Sequence, residues 1–108
     1  MLVVTTNDLP GYRVVEVFGL VRGITVRSRS VFGTLGGSLQ SIVGGNLTLF
    51  TTLAETSRQE ALSLMLEHAE QHGANAVIAM RYDSNDISPG ITEMLAYGTA
   101  VRVEKAGA

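Results

Sequence analysis

The sequence predicts an α+β fold: a small, mainly antiparallel sheet packed on one long helix plus a short helix. Three observations carry that expectation. Residues 12–27 form a long run rich in valine, isoleucine and leucine. A broad apolar stripe at helical spacing spans residues 47–72. Two late runs, Gly73-Ala74-Asn75-Ala76-Val77-Ile78-Ala79-Met80 and Ala96-Tyr97-Gly98-Thr99-Ala100-Val101, are apolar or small on both faces instead of alternating. With 108 residues, the chain supports one domain over 1–108 with one core.

From the N-terminus, Leu2 to Thr5 reads as a short strand, stopped by the turn cluster Asn7-Asp8-Leu9-Pro10-Gly11. The run from Tyr12 to Arg27 is long for one strand. Gly19 and Gly23 within it indicate a bulge, a bend, or a surface on which a helix lies close. Residues 28–45 are glycine-rich, and Val31, Leu35, Leu39, Ile42 and Val43 suggest a loop and a short helix ending at Gly44-Gly45. The long helix follows. Leu47, Phe50, Ala54, Ser57, Ala61, Met65, His68, Ala69 and His72 share one stripe, with Leu62, Leu64 and Leu66 widening it. Thr52-Leu53-Ala54-Glu55 has the form of a capping box, but the placement of Leu47 and Phe50 favours a start near Asn46. Gly73 is suited to the position just past the helix end. A strand from about Ala76 to Tyr82, a loop over 83–90 and a strand from about Ile91 to Val103 complete the chain, the last two strands antiparallel.

Composition narrows the function classes. Hydrophobic residues make up 45% and charged residues 17%, with mean hydropathy +0.24. Such a chain holds more apolar surface than one thin domain hides, so further copies of itself are the expected partner. A net charge of −2 gives no basic field to draw nucleic acid. The absence of cysteine excludes disulfides and thiolate metal sites. The N-terminus lacks a positively charged signal-peptide region, and no stretch approaches the ~20 apolar residues of a membrane span. The expected location is the cytoplasm.

The residues Val43-Gly44-Gly45, Arg58, Gly73-Ala74-Asn75-Ala76-Val77 and Tyr97-Gly98-Thr99-Ala100-Val101 together resemble the YbjQ family. These are small prokaryotic proteins of unestablished function, labelled heavy-metal-binding. The likeness spans essentially the whole chain. It implies strands wrapped around a long helix and assembly into a dodecin-like or YbjQ-like ring, a homopentamer. Many members carry Glu after the paired glycines, where this chain has Asn46. A metal role at that position would be weaker here.

Candidate chemistry is sparse. His68 and His72, the only histidines, stand four apart on one helix face, a spacing that lets two imidazoles reach one divalent ion. Glu93 or Asp83, or a residue of another copy, would complete such a site; a packed histidine pair is the plainer alternative. Arg58 interrupts the apolar stripe and, if buried, needs Glu16 or Glu93 as partner; anion binding is the alternative. Arg22, Arg27 and Arg29 form a basic cluster at a strand end, either edge protection or an anion site. Gly44-Gly45 before a helix could present amides to an anion, although no phosphate-loop lysine follows. Asp83, Asn85 and Asp86 lack the calcium-loop pattern. No nucleophile stands beside a base. The expectation is a non-enzymatic oligomeric module binding a metal or small ligand at subunit interfaces. A ligand-free interaction scaffold, and an enzyme with a site shared between subunits, remain the alternatives.

Overall fold

A computed structural model describes residues 1–28 and 46–107. The expected short helix, Gly44, Gly45 and Arg29 lie outside the described residues. Four strands and one helix are described: β1 (Leu2–Val3), β2 (Tyr12–Ser28), α1 (Asn46–Gln71), β3 (Ala76–Ser88) and β4 (Ile91–Lys105). They form one mixed sheet in the order β1-β3-β4-β2. β1 runs parallel to β3, while β4 is antiparallel to both β3 and β2. Among the described residues no helix is long and apolar enough to cross a membrane.

α1 is helical from Asn46, the first described residue of that part of the chain, and so includes the stripe positions before Thr52. Thr52 is therefore not a cap; its hydroxyl donates back to the Thr48 carbonyl at 3.0 Å. Ala61, Met65 and Ala69 are fully buried against Val21, Val77, Met80, Ala96 and Ala100 of the sheet. The helix ends where Gly73, at φ +85°, turns the chain and its amide donates to the Glu70 carbonyl at 2.9 Å.

β2 is one continuous strand of 17 residues, interrupted by register shifts at Val14/Glu16 and Val17/Gly19. The second shift sits at Gly19, whose φ is +104°. It breaks strict alternation: Phe18 turns towards α1, while Leu20, Ile24 and Val26 face away. Gly23 is where the helix lies close, as the sequence suggests. A Cβ there would fall 2.1 Å from the Ala61 carbonyl oxygen.

One expectation is corrected. The polar segment 83–88 is strand rather than loop, because β4 continues opposite it and a tight turn at Pro89 and Gly90 closes the hairpin. On the second face of the Ala76 and Val101 strands, Leu9, with Val4 and Tyr12, packs over Ala76, Ile78, Val101 and Val103. The N-terminal segment thus covers one end of the outer face. Beyond it, Leu20 is 64% exposed, Val17 65% and Val26 48%.

Candidate functional site

The helix brings His68 and His72 together on the side facing β2. Their Nε2 atoms stand 3.4 Å apart, and the His72 ring stacks on Phe18 with centroids 6.5 Å apart. Two imidazole nitrogens on one tetrahedral zinc at ~2.05 Å would be separated by roughly 3.3 Å, so the spacing matches that of a shared ion. The protonation pattern does not. The backbone amide of Arg22 donates to His68 Nδ1 at 3.2 Å. In a neutral imidazole the remaining proton then resides on Nε2, from which it is donated to His72 Nε2. A histidine that ligates through Nε2 instead presents an N–H at Nδ1 to an acceptor. His68 must therefore release the Arg22 amide before its Nε2 can hold a metal.

Glu93 does not join this pair. It lies opposite Val26 in the β2–β4 register and so shares the outer face of the sheet, whereas α1 covers the inner face. Asp83 sits opposite Leu95 on that same outer face, bound to the Ser84 amide and the Asn85 side chain. Among the described residues no group of three histidine, aspartate or glutamate side chains converges to hold an ion. The described residues of one copy do not make a complete metal site; they supply two nitrogens, one of them protonated.

Arg58 is a correction. It is exposed, its guanidinium carbon 5.7 Å from the centroid of the Tyr82 ring. Glu16 pairs instead with Arg102 at 3.5 Å. The arginine keeps its charge in water over an aromatic face of β3. Arg22 and Arg27 are also separated. Five positions apart on a regular stretch of strand, they project to opposite faces. Arg22 points outward, while Arg27 meets Glu60 of α1. A cleft of about 200 Å³ opens beside Arg27, lined by the hydroxyls of Thr25, Ser57, Ser84 and Thr92. Sequence reasoning did not find it, because its groups come from β2, α1, β3 and β4 and share no linear spacing.

The sequence matches, over residues 1–104, the family described as "putative heavy-metal-binding". The chain belongs to the YbjQ family. Its curated YbjQ relatives carry the uncharacterised name UPF0145. The protein of Solibacter usitatus is 60% identical over 101 residues, covering 94% of this chain and 90% of its own. That of Burkholderia thailandensis is 52% identical over 106 residues, covering 98% and 96%. A crystal structure of a DUF74-family protein of unknown function from Pediococcus pentosaceus superimposes with TM-score 0.62 at 13% identity, over 96% of this chain and 98% of that one. It shares the fold.

The YbjQ motif residues that are described perform structural work. The side chain of Asn75 donates to the Val103 carbonyl at 3.0 Å and accepts the Val103 amide at 2.8 Å. It extends the β3–β4 ladder by one rung where the backbone has not yet become strand. Gly98 lies under Val77, whose Cγ1 would be 2.6 Å from an added Cβ. The motif builds the junction of helix and sheet.

Proposed function

We propose that this YbjQ protein is a non-enzymatic, self-assembling subunit that forms a homo-oligomeric ring and holds a small ligand where copies meet. The observation that carries this reading is the outer face of β2. Val17, Leu20, Ile24 and Val26 lie exposed along one strand, beyond the reach of the N-terminal segment. Large exposed apolar side chains repeated along one strand face, with Arg22 between them, favour an interaction site over a solvated one. The five-fold symmetry expected of the family is consistent with a subunit whose sheet ends remain open. Sedimentation velocity at micromolar concentration is the test. A multimer is expected for the native chain, and a shift towards monomer for Leu20→Ser combined with Ile24→Ser. A native particle of 11.5 kDa would end the proposal.

The 3.4 Å separation of the histidine nitrogens favours a second reading, in which a divalent ion is the ligand. His68 and His72 would supply two donors and another copy the rest. Calorimetric titration of the assembled protein with Zn²⁺ is the measurement. Saturable binding abolished in His72→Ala supports it, and binding that survives both histidine replacements removes the pair from consideration.

A further inference from the structure

We propose that the cleft beside Arg27 is a binding site, built within a single copy of the chain, for a small neutral polyol. It needs no contact between copies and so goes beyond the reading above.

Strand register builds the site. Thr25 and Ser84 both oppose Met94 of β4, and Arg27 and Asp86 both oppose Thr92. These are two neighbouring rows on the face of the sheet that α1 covers, since Met94 packs against the helix-side core. Ala54 and Ser57 of α1 close the cleft from above. Its volume of about 200 Å³ lies below the roughly 300–1,000 Å³ of pockets for drug-sized ligands, so the occupant is small.

The hydroxyl protons select the chemistry. The Thr92 hydroxyl donates to a carboxylate oxygen of Asp86 at 3.0 Å, and that of Thr25 to the Ser57 carbonyl at 3.5 Å. With their protons engaged, both threonines turn only lone pairs to the cleft. Ser57 and Ser84 differ, for their hydroxyls have no partner among the described residues and are free to donate. Ser57 is only 9% exposed, yet its hydroxyl is not sealed off without a partner. Its opening is the cleft it lines.

Among the described lining residues Arg27 alone is charged; Glu60 neutralises it, and further N–H groups remain to be given. The cleft therefore offers donors and acceptors together with no net charge to satisfy. A phosphate or carboxylate brings acceptors alone, leaving the threonine lone pairs unmet and a second anion near Asp86. An ammonium would set a second cation beside Arg27. Hydroxyl groups both donate and accept, and the C–H faces of a short polyol suit the side chains of Met94 and Ala54.

The test follows the Met94 methyl resonance of the native protein during titration with erythritol, with butanediol, which lacks the inner hydroxyls, and with inorganic phosphate. Erythritol is expected to move the methyl saturably. Butanediol is expected to bind about fivefold more weakly, as is erythritol to Thr92→Val, which keeps the shape but loses the acceptor. Ser84→Leu, at an exposed strand position, is expected to fill the cleft and abolish the shift, which keeps the outcome decisive if the valine variant fails to fold. Absence of a saturable shift with erythritol, equal binding of butanediol, displacement of erythritol by phosphate, or unchanged binding to Ser84→Leu each overturns the proposal. None of these results bears on self-assembly, which sedimentation reads separately.

Discussion

Gly23 of β2 lies directly beneath Ala61 of α1, so closely that a methyl group on Gly23 would sit 2.1 Å from the Ala61 carbonyl oxygen and 2.4 Å from the Met65 amide nitrogen. Both obstacles are backbone atoms in the middle of a helix and cannot swing aside. Close approach of helix and strand is therefore set by the absence of a side chain at one position.

Gly23→Ala is expected to destabilise the protein by about 3 kcal/mol, the upper range of overpacking, because the helix as a whole must lift. Urea denaturation of the variant measures it. A loss below ~0.5 kcal/mol would show that α1 does not contact β2 as described.

Asn75→Ala removes both hydrogen bonds to Val103 and is expected to cost about 1–3 kcal/mol, from roughly 0.5–1.5 per bond. Asn75→Asp retains the acceptor but loses the donor, turning a second oxygen towards the Val103 carbonyl. It should be no more stable than the alanine variant at neutral pH. Thermal melts of the pair decide, and full stability in Asn75→Asp would contradict the two-point bridge.

Arg58→Ala tests the corrected position of that arginine. An exposed guanidinium over one tyrosine ring contributes about 0.5–1 kcal/mol. Loss of folding, or of several kcal/mol, would restore the buried ion pair that the helical stripe suggests.

Ala79 adopts φ +53° at the register shift between Ile78 and Arg81, a conformation that costs a residue with a Cβ about 1 kcal/mol. Its amide is held by the Thr6 carbonyl at 2.8 Å. Ala79→Gly is expected to leave stability unchanged or slightly raised, and Ala79→Val to lower it by more than ~1 kcal/mol. Equal melting temperatures for the glycine and valine variants would show that the backbone is not left-handed there.

Much of this fold is legible in the residues themselves. The 3.6-residue spacing of Ser57, Ala61, Met65 and Ala69 specifies the helix and its buried side, and Gly73 specifies where it stops. Gly19 and Gly23 are readable as a bulge, a bend or a close approach, and only the structure assigns the bulge to Gly19 and the close approach to Gly23. The segment 83–88 is not legible as strand. It is exposed along its length, so neither face imposes an apolar alternation, and its pairing comes wholly from β4. The histidine pair is visible as a spacing, but its proton pattern is not, since the deciding donor is an amide 46 positions away in sequence.

Local sequence, then, determined the long helix, its apolar face and the apolar parts of the strands, because those properties follow from periodicity and from backbone freedom at single residues. Only the tertiary structure decided which charges are paired, that Glu93 and the histidines lie on opposite sides of the sheet, and that the N-terminal segment covers one end of its outer face. Those outcomes depend on strand register and on two bulges in β2. A one-residue shift there moves every following side chain to the other face, and no linear spacing records it.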